Sequence, residues 1–193
     1  MKIGVLAMQG AFIEHINALK TLDINGIPIR YKDEIEEIDG LIIPGGESTS
    51  IGKLIKIYGL GEVIKERIVK GLPVWGTCAG MIILAKHIVN SDITHIPLMD
   101  IEVVRNGYGR QLGSFSKDVE IKGIEGGAFP MVFIRAPYIE RVGEKVQVLA
   151  EIDEKIVAAR ENNILATSFH PELTDDLRMH RYFINMINER TNR

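Results

Sequence analysis

The chain has 193 residues, a length that suits one domain and leaves too little sequence for two complete hydrophobic cores. With 46% hydrophobic and 25% charged residues it has a globular composition, and no apolar run approaches the roughly 18 residues of a membrane span. The net charge of −3, with no segment dominated by Lys and Arg, argues against nucleic acid or a membrane surface as a partner.

The first half of the chain alternates between strand and helix patterns. The predicted strands span residues 3–8, 27–31, 41–43 and 73–75. The predicted helices span residues 11–22, 49–58, 61–69 and 81–89. Strands that alternate with crossover helices require a parallel sheet covered on both faces. We therefore expect an α/β core and treat residues 1–193 as a single domain.

The second half is dominated by strand patterns separated by short turns. These strands are predicted at residues 101–105, 115–121, 131–135, 146–152, 156–160 and 164–169. A final helix is predicted at residues 175–189, capped by Asp175 and Asp176, with Leu177, Phe183 and Ile187 facing the core. The second half is thus expected to extend the core with antiparallel strands.

The only cysteine, Cys78, lies in a motif that indicates a nucleophile. A single cysteine cannot form an internal disulfide, which indicates a reducing, cytoplasmic setting. Residues 76–80 read Gly-Thr-Cys-Ala-Gly at a predicted strand–helix junction, like the sharp turn that presents a hydrolase nucleophile. Such a turn exposes the sulfur at the carboxyl edge of the sheet, and the helix N-terminus favours the thiolate. The backbone N–H of Ala79 would supply one oxyanion-hole donor.

A base for this nucleophile is predicted at residues 168–172, Ser-Phe-His-Pro-Glu. His170 and Glu172 project to one side of an extended chain, so the carboxylate can orient the imidazole toward Cys78. Pro171 disfavours a helical conformation at His170. Both motifs end predicted strands, and both are therefore expected at one edge of the same sheet.

Residues 44–50, Pro-Gly-Gly-Glu-Ser-Thr-Ser, form a glycine-rich loop before a helix that Ser48 or Thr49 is expected to cap. A phosphate-binding loop is excluded, because the spacing to Gly52-Lys53 is one residue too long and Leu54 replaces the required Ser or Thr. Gly46 is instead expected to supply the second oxyanion donor.

Together these motifs resemble those of the class I (triad) glutamine amidotransferases, and in particular the glutaminase subunits of pyridoxal 5′-phosphate synthase. The narrower resemblance is carried by residues 4–10 (Gly-Val-Leu-Ala-Met-Gln-Gly), 44–49, 105–111 (Arg-Asn-Gly-Tyr-Gly-Arg-Gln) and 133–137 (Phe-Ile-Arg-Ala-Pro). It implies a flavodoxin-like fold with a mainly parallel central sheet, helices on both faces and an antiparallel extension.

The resemblance also implies the roles of individual residues. Cys78, His170 and Glu172 would hydrolyse glutamine to glutamate and ammonia through a thioester. Glutamine would be contacted by Gly46, Glu47, Ser48, Arg105, Ile134 and Arg135. An arginine can pair with the substrate α-carboxylate, and Glu47 or a backbone carbonyl can accept the α-ammonium. Gln9 and Gly10 would lie near the oxyanion loop and the partner interface.

The implied partner is a (β/α)₈-barrel synthase that uses the ammonia to build pyridoxal 5′-phosphate. That compound would be the product of the complex, so neither a cofactor nor a metal is expected in this chain. Two alternatives remain at this point: the glutaminase of another pathway, such as histidine or purine biosynthesis, and a non-catalytic regulatory subunit.

The remaining aromatic and histidine residues receive ordinary structural interpretations. Trp75 is expected in the core. His15 is expected on the surface of the first helix or at an interface near Gln9. His87, His95 and His180 have no partners at metal-ligand spacing.

Overall fold

The computed structural model describes residues 1–108 and 113–191. Its strands are β1 (Lys2–Leu6), β2 (Asn25–Ile29), β3 (Gly40–Ile43), β4 (Val74–Thr77), β5 (Ala85–Ile88), β6 (Met99–Val104), β7 (Ser114–Val119), β8 (Phe129–Ile134), β9 (Tyr138–Val142), β10 (Gln147–Ile152), β11 (Lys155–Glu161) and β12 (Ile164–Thr167). Its α-helices are α1 (Phe12–Thr21), α2 (Ser48–Ile57), α3 (Leu60–Val69), α4 (Ala79–Leu84) and α5 (Arg178–Thr191). Short 3₁₀ turns occur at Asp33–Ile35 and Pro171–Leu173.

The main sheet places five parallel strands side by side. Its order is β2-β1-β3-β4-β12-β11-β9-β6-β5, with β10 paired to β11. Strand β1 pairs in parallel with β2 and β3, and β4 pairs in parallel with β3 and β12. The carboxyl ends of these strands therefore lie along one edge, where ligands bind in open α/β sheets.

The rest of the sheet is the expected antiparallel extension, except that its last strand, β5, runs parallel to β6. Strand β11 runs antiparallel to β9, β10 and β12, and β6 runs antiparallel to β9. Strands β7 and β8 form a separate antiparallel pair. The predicted α/β architecture is confirmed.

Hydrophobic cores cover the sheet on both faces. Along β3, Leu41 and Ile43 point into a core shared with α2, α3 and α4, whereas Ile42 points into a core with Trp75 and the helices α1 and α5. This alternation follows from the two-residue period of a strand. Among the described helices, none combines the length and the apolar character needed to cross a bilayer.

The prediction of a helix over residues 81–89 was wrong in its second half. Helix α4 ends at Leu84, and the chain turns extended at Ala85 to form β5 beside β6. A short buried apolar run has no period that separates helix from strand, so the pairing with a distant strand decides the outcome. Strand β9 was also missed.

The last helix starts later than predicted because Asp176 caps it. The Asp176 carboxylate accepts the backbone N–H of Arg178, the first helical residue, at 3.0 Å. Phe183 and Ile187 are buried as expected, whereas Leu177 precedes the helix and is only partly buried.

Candidate active site

Cys78 occupies a sharp turn between β4 and α4. Its backbone has φ 48° and ψ −103°, a conformation that costs energy for a residue with a side chain and that recurs at functional sites. Its N–H donates to the carbonyl of Thr167 on the neighbouring strand at 2.8 Å. The turn thereby fixes the direction of the sulfur.

The two glycines of the motif are required by close backbone contacts. A Cβ on Gly76 would lie 2.5 Å from the backbone of Gly80, and a Cβ on Gly80 would overlap the carbonyl oxygen of Ile43 on β3. The turn therefore has no room for a side chain at either position.

His170 follows β12 and is held beside Glu172. The backbone N–H of His170 donates to the carbonyl of Val132 at 2.8 Å. The ring nitrogen Nδ1 of His170 lies 2.7 Å from Glu172 Oε1. The local geometry differs from the extended chain that we predicted, because Pro171–Leu173 forms a 3₁₀ turn. Proline suits the first position of such a turn, since its missing N–H would have no partner there.

The surroundings of His170 favour its charged form. Burial acts to lower the pKa of the imidazole, but hydrogen bonds with Cys78 and Glu172, together with their charges, outweigh it and raise the pKa to about 10. Since Nδ1 contacts Glu172, Nε2 is the nitrogen left for Cys78. An imidazolium beside the cysteine is the proton donor that a leaving amine requires.

A cavity of about 700 Å³ opens over Cys78 and His170. Cys78 is only 6% exposed, so its sulfur is less open than expected, but it forms part of the cavity wall. The other lining residues predicted from the sequence are Gln9, Gly46, Glu47, Ser48, Ala79, Arg105, Ile134 and Arg135. Glu172 lies behind His170 and is 8% exposed.

Two arginines supply positive charge at this cavity. Arg105 follows β6 and Arg135 follows β8, and both side chains are exposed. Within residues 1–108 and 113–191, neither guanidinium has an ion-pair partner, so both are available to a carboxylate. The part of the Arg105 motif at residues 109–111 lies outside the described residues.

The glycine-rich loop lies against the catalytic pair. A Cβ on Gly45 would come within 3.0 Å of His170 Nδ1 and 3.3 Å of the Cys78 Cβ. The Gly45 carbonyl accepts the Ala11 N–H at 3.1 Å, and Gln9 Oε1 accepts the Glu47 N–H at 2.7 Å. The segment around Gln9 therefore contacts the glycine-rich loop, and its place at a partner interface stays a prediction.

Glu47, rather than Ser48 or Thr49, caps α2. Its carboxylate accepts the backbone N–H groups of Thr49 and Ser50 at 3.1 and 2.8 Å, and it also accepts both hydroxyls. The hydroxyls of Ser50 and Thr49 are the main reason that the Glu47 pKa falls to about 2. Since its carboxylate is engaged with the helix, a backbone carbonyl is the better acceptor for a substrate ammonium.

The structure also shows polar and apolar residues at the site that sequence reasoning missed. The cavity is further lined by Ile82, Val89, Asn90, Val104, Asn106 and Pro137. His15 was expected on the surface, but it is fully buried behind Glu172, as is His180. The sequence did contain an indication of this burial. His15 lies four residues before Leu19, so the two share the buried face of the helix.

The chain is similar to known proteins over almost its full length. Residues 5–189 match the SNO glutamine amidotransferase family. Relatives that carry the name pyridoxal 5′-phosphate synthase subunit PdxT include the following two. The one from Ruminiclostridium cellulolyticum is 56% identical and covers 96% of this chain and 99% of its own. The one from Carboxydothermus hydrogenoformans is 57% identical and covers 97% and 98%. A solved structure described as a glutamine amidotransferase has a TM-score of 0.92 at 47% identity, covering 96% of this chain and 98% of that chain.

Proposed function

The chain belongs to the SNO glutamine amidotransferase family, and on that premise we propose that it is the glutaminase subunit of a pyridoxal 5′-phosphate synthase. It hydrolyses L-glutamine to L-glutamate and ammonia. The names of relatives that share more than half of its residues support this assignment. The single observation that carries the chemistry is that Cys78 and His170 line one cavity, with Glu172 2.7 Å from the His170 ring behind it.

Cys78 acts as the nucleophile. The cysteine proton has already passed to His170 Nε2, which is held in its charged form, so the sulfur attacks the side-chain amide carbon of glutamine as a thiolate. When the tetrahedral intermediate collapses, the carbon–nitrogen bond breaks and His170 protonates the departing nitrogen, which leaves as ammonia. His170 then takes a proton from water as the water oxygen attacks the thioester carbon. The carbon–sulfur bond breaks, glutamate is released, and the thiolate and the charged imidazole are restored. Glu172 keeps the ring in the tautomer that both steps need.

Two backbone N–H groups stabilise the oxyanion that forms in each half-reaction. Ala79 is the first residue of α4 and lines the cavity beside the sulfur, and Gly46 faces it from the glycine-rich loop. Fixed donors of this kind are worth about 2.7–4 kcal/mol each in the transition state.

The α-amino acid end of glutamine is bound by other residues that line the cavity. Arg105 and Arg135 provide guanidinium groups for the α-carboxylate, where paired hydrogen bonds give both affinity and orientation. Gly46, Glu47, Ser48 and Ile134 complete the pocket, with the α-ammonium directed to a backbone carbonyl.

The ammonia is used by a synthase partner, which we propose is a (β/α)₈ barrel in the cytoplasm. The segment around Gln9 and Gly10 lies at the oxyanion loop and is a suitable place for that partner to act. A role in histidine or purine biosynthesis is set aside because the relatives described above are pyridoxal 5′-phosphate synthase subunits.

A glutamine-like diazoketone tests the site directly, because it alkylates only a cysteine that binds the glutamine skeleton. In the complex with the synthase, we expect one label on Cys78, located by peptide mass spectrometry, and protection by excess glutamine. As Cys78 is the only cysteine of this chain, any thiol label found on its peptides must be there. Failure to label it, or labelling that glutamine does not slow, would overturn the assignment.

A further inference from the structure

The polar contacts that link Cys78, His170 and Glu172 continue from Glu172 into the core through two histidines, His15 and His180. His15 Nε2 lies 3.3 Å from Glu172 Oε2, and His15 Nδ1 lies 3.0 Å from His180 Nε2. Within the described residues this buried oxygen accepts no hydrogen bond of good geometry, and its 3.3 Å approach to His15 is an ion-pair contact. The catalytic mechanism above uses neither histidine, and their arrangement requires an explanation.

Three separate elements position these groups. His15 lies on α1, His180 lies on α5, and Glu172 lies in the turn after β12. Both rings are 0% exposed, and both pack edge-on against Trp75, with ring centroids 5.6 and 5.1 Å from it. Packing of this kind leaves the rings little freedom to rotate.

Both histidines are neutral at the pH of the cell. Burial is the main cause that lowers the pKa of His15 well below its usual value, and the neighbouring His180 and His170 lower it further. Burial also lowers the pKa of His180 to about 4. A neutral imidazole has one N–H donor and one acceptor, so the tautomers can be assigned from the contacts.

Only one assignment satisfies the contacts. If His180 donates from Nε2 to His15 Nδ1, then His15 must carry its proton on Nε2, where it faces Glu172 Oε2. The unpartnered His180 Nδ1 is then a bare acceptor. The reverse assignment would bury an unpaired His180 N–H and set a lone pair of His15 against the carboxylate, and both are costly.

We propose that His15 is a positioning residue for the glutaminase reaction, and that its Nε2–H holds the second oxygen of Glu172 while the first oxygen orients His170. The inference rests on the proposed function. The hydroxyl of Thr77, 3.3 Å from the same nitrogen, is a second acceptor that keeps the proton on Nε2. His180 acts indirectly, through its hydrogen bond to His15, whose tautomer it fixes.

By holding the second oxygen, His15 prevents the Glu172 carboxylate from rotating. A carboxylate held by one oxygen only can turn about its terminal bond, and His170 would then lose its orientation toward Cys78. Loss of an outer partner that orients a site residue typically costs about 10- to 100-fold in activity. The loss should appear in kcat rather than KM, because His15 does not line the substrate cavity.

Two amide substitutions separate this role from simple packing. In His15→Gln the amide nitrogen reaches the position of Nε2, whereas in His15→Asn it reaches only that of Nδ1. We measure ammonia release by the complex with its synthase, together with thermal unfolding of each variant. We expect His15→Asn to lose about 10-fold in kcat at unchanged KM, and His15→Gln to restore most of that loss. His87→Asn, an exposed histidine, is the control and should behave as wild type.

Each outcome decides the proposal. Wild-type kcat in His15→Asn, or equal losses in the Asn and Gln variants, would overturn it. If His15→Asn does not fold, His180→Leu provides the test: a fall in kcat at unchanged KM supports the proposal, and wild-type kcat refutes it. Cys78→Ala in the same assay distinguishes the two hypotheses, because ammonia release that survives this change would refute the proposed function itself.

Discussion

The chemistry of the site depends on how Glu172 holds the His170 ring. The 2.7 Å contact between them is buried, and the charge of the carboxylate is one of the causes that raise the His170 pKa. The carboxylate therefore both fixes the tautomer and stabilises the imidazolium. Each of these effects is lost when the group is neutral.

Glu172→Gln is expected to lower kcat for ammonia release by about 10³- to 10⁴-fold, because a neutral amide can hold the wrong tautomer of His170. The measurement is steady-state glutamine hydrolysis by the complex, with circular dichroism as a check that the fold is retained. A kcat close to that of wild type would show that Glu172 is not the orienting group.

Glu47 provides a pH-dependent contribution to stability at the start of α2. Its pKa is about 2 in the folded protein against a usual 4.5. A group whose folded pKa is depressed stabilises the fold above its unfolded pKa, and that contribution is lost as the pH falls through the folded pKa. The relevant window therefore lies between 4.5 and about 2.

Glu47→Ala is expected to reduce the free energy of unfolding at neutral pH by about 1 kcal/mol, the usual cost of removing a helix N-cap. Glu47→Gln keeps an acceptor but cannot ionise, so its difference from wild type should shrink as the pH falls below 4.5. Urea unfolding at a series of pH values measures both effects. A difference between wild type and Glu47→Gln that grows on acidification would contradict the assigned cap.

At the scale of elements, the turn between β4 and α4 is the part of the site that the sequence specified best. Its glycines are needed by contacts of backbone with backbone, which leave little choice of residue. The contact between His170 and Glu172 was predicted, but the backbone conformation was not. A 3₁₀ turn, rather than an extended chain, brings the two side chains together. Strand β5 could not be predicted, because its pairing with β6 is non-local.

Gly80→Ala should destabilise the protein by about 1–3 kcal/mol, because its methyl group would overlap the Ile43 carbonyl and push α4 off β3. Gly61→Ala is the matched control in α3, where the added Cβ would meet only Ile55 at an ordinary 3.5 Å. That substitution should stabilise the helix by roughly 0.5–1 kcal/mol. Chemical denaturation compares the two, and equal effects would contradict the packing described for the elbow.

At the scale of the whole molecule, the site is built from loops that are far apart in the chain. The sequence alone therefore could not predict all the contacts between them. The order of the parallel strands brings the ends of β1, β3, β4 and β12 together. The catalytic residues follow strands whose patterns were recognisable. The buried line through His15 was not foreseen, because it depends on α1 and α5 packing on the same face of the sheet.

The synthase is expected to stimulate ammonia release by about 10²-fold, the typical effect of one oxyanion donor. The physical reason is that Gln9 and Gly10 contact the glycine-rich loop, so a partner bound there can set the direction of the Gly46 N–H. Rates of glutamine hydrolysis by this chain with and without the barrel measure the effect. Equal rates would mean that the donor is already in place in the free subunit.

The central claim is that the sulfur of Cys78 forms the thioester from which glutamate is released. The most direct measurement is glutamate and ammonia production by the complex containing either wild type or Cys78→Ala, at equal occupancy of the synthase. We expect both products to fall to background in the variant while the complex still assembles. Continued turnover by Cys78→Ala would contradict it.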